Sequence, residues 1–326
     1  MAANKVSYYL SKLESLGYAT TEVLKNTGVT VDDVLDMKAV LLPEQYRRII
    51  RNIISATGNE RIGLELGAAY SLGDLGVLGY AVLSSKTIMQ AGDVMMKYSD
   101  LNAKILGFDG YPEGDKWCVE FHEIFPLGDL LPFAVEEYMA RIQASLCQLT
   151  NGPAGFIEIH CSYDKPDSTE CYEKIFHCPC HFNQPKNLLY IDKSIFEKPI
   201  SFANDTVHKL CEEQCSKLVR EITGAQGLAE RIRDFLYRNP GKFPGIDGMA
   251  SEMAMNTRSL RRQLQLEGTT YQNILDETRK SLAIDWLQNT NLTPKEISFM
   301  LGFSDVGNFR RAFRAWTGSK VSVYQR

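Results

Sequence analysis

Apolar positions recur at three- and four-residue intervals through Ser7–Leu16, Pro43–Ala56 and Lys86–Tyr98. That spacing predicts helices that bury one face. Runs rich in β-branched and aromatic residues then appear at Trp117–Phe121, Gly155–His160 and Asn187–Ile191, and these read as strands. A long amphipathic helix, Leu131–Leu149, separates the first two. The first two-thirds of the chain is therefore expected to be an α+β domain. Phe202–Ile222 reads as one further helix, with Val207, Leu210, Cys211, Cys215, Leu218 and Ile222 along a stripe. Such a stripe either packs on its own domain or forms a dimer seam. Thr223-Gly-Ala-Gln-Gly227 breaks the pattern and reads as a linker. Everything beyond it is helical punctuation. The expected organisation is a sensing or dimerising domain over 1–222, a linker over 223–227, and an all-α domain over 228–326.

The all-α segment holds the most specific pattern in the chain. Thr293-Pro-Lys-Glu296 is a capping box with proline at the first helical position, and it opens a short helix, Pro294–Met300. Leu301-Gly302-Phe303 makes a turn, and Ser304 or Asp305 can cap the next helix. In that helix Phe309, Ala312, Phe313 and Trp316 form an apolar stripe, while Gly307, Arg310, Arg311 and Arg314 lie on another face. A helix, a glycine turn and a second helix with an apolar back and an arginine front make a helix-turn-helix. The pattern occurs again upstream. Asp247–Met253 is a short helix, Ala254-Met255 a turn, and Asn256 a cap for Thr257–Gln265, which Gly268 closes. There Leu260 and Leu264 point one way, and Arg258, Arg261 and Arg262 another. The two units span about 247–265 and 294–316, and one continuous helix, Thr270–Gln288, joins them. Its 19 residues extend roughly 28 Å at 1.5 Å per residue, close to one turn of DNA. Arginine forks onto guanine or phosphate oxygens. The candidate contacts to double-stranded promoter DNA are therefore Arg258, Arg261 and Arg262 in the first unit and Asn308, Arg310, Arg311 and Arg314 in the second.

Charge sharpens this reading. The chain of 326 residues carries a formal −4, which by itself argues against nucleic acid. From Ala225 onward, however, 15 Lys and Arg stand against 10 Asp and Glu, a local +5 that leaves −9 for the remainder. Only one domain is built to meet phosphates. Hydrophobic content of 44% suits a globular protein, and the longest apolar stretch, Leu75–Leu83, is too short for a bilayer. With no signal-like N-terminus, a cytoplasmic location without membrane contact is expected. Eight cysteines in such a chain read as reduced thiols.

The C-terminal hundred residues resemble the AraC/XylS regulators. Met249–Met253, Arg258-Ser-Leu-Arg-Arg262, Arg279-Lys-Ser-Leu-Ala283, Ile297–Asp305, Phe309-Arg-Arg-Ala-Phe313 and Trp316-Thr-Gly318 carry the likeness. Val321 stands where proline is usual, Gly307 where a small polar residue or alanine is usual, and Ser298 where alanine is usual. The N-terminal part resembles the arabinose-binding-like effector domain of one AraC subgroup. That likeness rests on Ile62–Gly67, Gly73–Gly79, Cys178-Pro179 followed by Phe182, and Asn187–Tyr190. The resemblance implies a sequence-specific transcription regulator, an activator working with RNA polymerase, as a homodimer that senses a small molecule. It does not imply arabinose as the ligand.

Other features carry competing readings. A constitutive dimer without a ligand is one alternative. A metal or redox sensor built on His177-Cys-Pro-Cys-His181 with Cys171 is another, although C-x-C is not the usual paired spacing. Gly73, Gly76 and Gly79 lack the P-loop and Rossmann patterns, so no nucleotide cofactor is implied. Trp117, Phe121 and Tyr190 are candidates either for lining an effector pocket or for plain core packing. Glu120 with His122 and Glu123, or Asp164 with Asp167, have no nucleophile beside them, so a non-enzyme is expected. The enzymatic alternative is a repair protein pairing this DNA-binding module with a catalytic cysteine.

Overall fold

A computed structural model describes residues 4–36, 39, 41–101, 105–225, 227–239, 241–290 and 292–325. It divides into two units, residues 1–123 with 129–222, and 223–326 with 124–128.

The first unit is α+β. Its helices are α1 (Asn4–Ser15), α2 (Val31–Leu35), α3 (Pro43–Thr57), α4 (Ile62–Ala68), α5 (Val77–Leu83), α6 (Ile88–Lys97), α7 (Leu131–Thr150), α8 (Glu170–Phe176) and α9 (Asp205–Ala225). The strands are β1 (Leu106–Glu113), β2 (Lys116–Glu123), β3 (Phe156–His160), β4 (Cys180–His181) and β5 (Asn187–Asp192), in the order β1-β2-β5-β3-β4. All pairings are antiparallel except β3 with β4. Alternation sends Val119, Phe121, Ile159, Leu189 and Ile191 into the core.

Helix α7 is the spine of this unit. It packs on α4 because Gly63 and Gly67 leave no side chain between the backbones. A Cβ at Gly63 would lie 2.6 Å from the Phe133 carbonyl oxygen, and one at Gly67 would lie 2.5 Å from that of Glu137. Gly79 serves the same end in α5, where a Cβ would meet the Leu72 carbonyl at 1.7 Å. Gly76 turns the chain at φ +56°, so Gly76 and Gly79 are accounted for by turning and packing, while nothing in the structure requires glycine at Gly73. Under α7 lies a buried charge cluster. Glu137 accepts from Lys5 Nζ at 2.7 and 2.8 Å and faces Arg141 at 3.5 Å.

Helix α9 docks through part of the apolar stripe predicted for it and through polar residues beside it. His208 Nδ1 lies 2.9 Å from the Ala81 carbonyl, and Tyr98 bonds Ser216 at 2.9 Å. Cys215 is fully buried, whereas Val207 and Leu210 are exposed. The helix continues to Ala225, so most of the segment read as a linker is helical. Gly224 in a last turn costs only about 1 kcal/mol relative to alanine, too little to end the helix early.

The second unit contains α10 (Leu228–Arg238), α11 (Ile246–Glu252), α12 (Thr257–Leu266), α13 (Tyr271–Asn289), α14 (Pro294–Met300) and α15 (Val306–Thr317). It has two cores. One holds Ile232, Leu236, Met249, Leu260, Leu264 and Ile274, and the other Leu282, Trp286, Ile297, Leu301, Phe309 and Phe313. Helix α13 feeds both. From Ile274 to Leu282 it turns by about 80° beyond whole turns, so its two apolar patches face different neighbours. No helix among the described residues is long and apolar enough to cross a membrane.

Candidate nucleic-acid interface

Helices α11 and α12 form one helix-turn-helix, and α14 and α15 the other. Their turns are built alike. In the first, Ala254 N–H donates to Ser251 and Met255 N–H to Ala250, at 3.0 and 2.8 Å. In the second, Gly302 N–H donates to Phe299 and Phe303 N–H to Ser298, both at 2.9 Å. The pivot is left-handed in both, Ala254 at φ +53° and Gly302 at φ +74°. A residue beyond each pivot caps the second helix. Asn256 accepts from Ser259 N–H, and Asp305, rather than Ser304, accepts from Asn308 N–H, both at 2.8 Å. The Thr293–Glu296 capping box forms as the sequence predicts, with Thr293 N–H donating to Glu296 at 2.7 Å.

Four residues after each cap comes the first core anchor, Leu260 or Phe309, and four later the second, Leu264 or Phe313, all buried. This repeat sets the opposite face. Counting from the caps, Arg261 corresponds to Arg310 and Arg262 to Arg311, with Arg258 matched by Gly307 and Gln265 by Arg314. The arginines at 258, 261, 262, 310, 311 and 314 are all exposed. Among the described residues, none of these six makes an ion pair with a carboxylate. Asn308 is half-buried and already engaged. Its amide donates to Ser304 at 3.0 Å, and its carbonyl accepts from Arg311 at 2.5 Å.

Two supporting residues escaped the sequence reading. Glu267, just past α12, accepts from Leu228 N–H and Ala229 N–H, each at 2.8 Å. It therefore caps α10 and ties that helix to the end of an arginine-bearing one. Arg279 of α13 lies over the rings of Phe303, at 4.8 Å, and Phe243, at 5.3 Å. Burial lowers its pKa. Proximity in sequence announces neither contact. Arg279 stood out only as part of the motif that carries the family likeness.

The Cys/His segment does not converge as a single cluster. His177 ends α8 in a left-handed conformation, Cys171 lies within α8, and Cys180 and His181 form β4. All eight cysteines are free thiols. The three candidate aromatics are dispersed. Phe121 is buried against Phe108 and Tyr138, Trp117 packs on Phe196 at 5.3 Å, and Tyr190 faces His160.

Comparison with known proteins agrees with this architecture. Residues 17–200 match the model described as the arabinose-binding domain of AraC transcription regulator, N-terminal, and residues 249–326 match a helix-turn-helix domain. The ornithine utilization regulator of Pseudomonas aeruginosa is 35% identical over 82% of this chain and 79% of its own length. The regulator VqsM from the same organism is 27% identical over 84% and 86%. A crystal structure of the transcriptional regulator CdpR, also from Pseudomonas aeruginosa, covers 97% of both chains at 23% identity with a TM-score of 0.47.

Proposed function

The chain belongs to the AraC family of DNA-binding transcription regulators, and from that premise we propose that α12 and α15 enter successive major grooves on one face of a duplex. The observation that carries this reading is the repeat of exposed arginines behind buried anchors at one spacing from each cap. Lys and Arg on phosphates supply salt-dependent affinity, and a few side chains on base edges supply choice. Arg258, Arg261, Arg262, Arg310, Arg311 and Arg314 are the proposed contacts. Asn308 joins them only if DNA displaces its bonds to Ser304 and Arg311. Binding of Arg262→Ala and Arg310→Ala to a selected operator and its point variants tests this. Each substitution is expected to cost about 1–3 kcal/mol and to relax preference at one or two base pairs. Equal loss on all sequences would make them phosphate contacts, and no loss would remove them from the interface.

The first unit is proposed to sense a small molecule. It contains a cavity of about 560 Å³, bordered by Ala140, Gln143, Cys147, Phe156, Lys174 and His177. That is a normal size for a small-molecule site. Gln143 is buried, and among the described residues its Oε1 has no hydrogen-bond partner. A buried acceptor left unsatisfied favours a ligand that brings an N–H or O–H to it. A ligand that binds one conformation better shifts the population toward it. Thermal-shift screening of the full chain checks the assignment. Concentration-dependent stabilisation that Gln143→Leu removes supports it, and stabilisation unaffected by Gln143→Leu contradicts it.

The exposed Val207 and Leu210 of α9 are the proposed seam with a second copy of the chain. Activation through RNA polymerase and a cytoplasmic location complete the proposal. Both rest on the family and not on any side chain described above.

A further inference from the structure

The sheet face opposite the core gathers three metal-ligating side chains from separate parts of the sequence. Glu158 and His160 are two apart on β3 and so share a face, while Ile159 between them is fully buried. The parallel register sets His181 of β4 directly beside His160. Two backbone bonds fix that register. Ile159 N–H donates to Pro179 at 3.0 Å, and Cys161 N–H donates to His181 at 2.8 Å. Glu158 Oε2 lies 3.5 Å from His160 Nε2 and 3.5 Å from His181 Nε2, and the ligand atoms of all three fall within 4.8 Å of one another.

We propose that Glu158, His160 and His181 bind a zinc-type divalent cation. The two separations from Glu158 favour tetrahedral coordination. With bonds of about 2.05 Å, neighbouring ligand atoms in a tetrahedron lie about 3.3 Å apart, against about 2.9 Å for cis positions of an octahedron. The two 3.5 Å edges to Glu158 lie nearer the tetrahedral value, and the pair of imidazoles falls within 4.8 Å, an edge that a bound ion would draw in. Two imidazoles and a carboxylate are also the donor set of open zinc sites, with the fourth position left to water or another ligand. The surroundings orient the carboxylate. Lys116 Nζ donates to Glu158 Oε1 at 2.7 Å, leaving Oε2 turned toward the two rings. Tyr190 packs edge-on against His160 at 5.3 Å. Outer contacts of this kind fix ligand direction in metal sites. His181 is 47% exposed and Glu158 26%, so an ion can reach the site. Bound there, it would staple the two-residue β4 to the sheet edge.

The test uses the metal-stripped full chain with Co²⁺, whose visible absorption is intense only in a tetrahedral field, and with Zn²⁺ by calorimetry. One ion per chain is expected, with a tetrahedral Co²⁺ spectrum that Zn²⁺ abolishes. His160→Ala and His181→Ala should each weaken Zn²⁺ binding by at least about tenfold, since loss of an outer-sphere partner alone costs that much. Because His181 is exposed, its variant should melt like the parent without metal. A Cys178→Ser/Cys180→Ser variant should keep full affinity. Absence of binding, a loss below tenfold in either histidine variant, or loss in the thiol variant overturns the proposal.

Discussion

The Arg279 guanidinium lies 4.8 Å from the centre of the Phe303 ring and 5.3 Å from that of Phe243. Phe303 belongs to the second turn, and Phe243 packs on both cores of the DNA-binding unit. A cation on the connecting helix is thus stacked where the two halves of the unit meet. Removing it leaves both rings short of a partner and opens space beside Gly302. Arg279→Ala should destabilise the unit by about 1–2 kcal/mol. It should weaken binding to specific and random duplexes by the same factor. Thermal melts and parallel titrations check this. Altered base preference with an unchanged melting temperature would instead make Arg279 a reader of DNA.

Ala254 occupies the pivot that glycine fills in the second turn. A left-handed alanine costs roughly 1–2 kcal/mol, partly offset in any exchange by the greater freedom of unfolded glycine. Ala254→Gly should therefore stabilise the DNA-binding unit by about 0.5–1 kcal/mol, seen as a melting temperature raised by a few degrees. A lower melting temperature would mean that the Ala254 methyl makes contacts worth more than the strain.

Glu137 is flanked by two cations, Lys5 at 2.7 Å and Arg141 at 3.5 Å, and all three are buried. Truncating Glu137 removes the carboxylate that, among the described residues, ion-pairs with both of these buried cations. Glu137→Ala should cost about 3–5 kcal/mol, measured by chemical denaturation. Replacing all three by apolar residues should cost less than the single change. The reverse order would show that the ion cluster itself, not its completeness, stabilises the core.

Burial raises the Glu136 carboxyl to about 7, against the pull of Tyr172 and Arg61. With the folded value above the unfolded one, the native state binds the extra proton between about pH 4.5 and 7. The stability contributed by this group is therefore present at low pH and lost as pH rises through 7. Glu136→Gln removes that titration. Its stability relative to the parent should climb from pH 5 to pH 8 and level off above. A difference that stays flat with pH would contradict the assigned shift.

Legibility in the sequence follows the range of the interactions. Both helix-turn-helix units were readable because the caps, pivots and apolar anchors of each lie close together in sequence. Strand β1 was not. It contains Gly107, Asp109, Gly110 and Pro112, and only Leu106 in it is buried. Rings on β2 make up for its small side chains. A Cβ at Gly107 would lie 2.1 Å from His122, and one at Gly110 would lie 2.9 Å from Trp117. Such covering is set by cross-strand register, which no local pattern encodes. The same holds for Glu267, which caps a helix starting 39 residues earlier, and for His181, which meets His160 only through a two-residue strand. The apolar stripe of α9 was visible, but which part of it packs inward depended on partners in α5 and α6.

The central claim is that one chain presents two arginine helices to neighbouring turns of DNA. Selection of genomic fragments by the purified full-length protein at moderate salt, followed by footprinting of the enriched promoters, tests it most directly. The account predicts enrichment over random competitor, with two protected stretches about 10 base pairs apart on one face for each chain bound. Binding that random duplex competes away equally well, or a single protected stretch per chain, would contradict it.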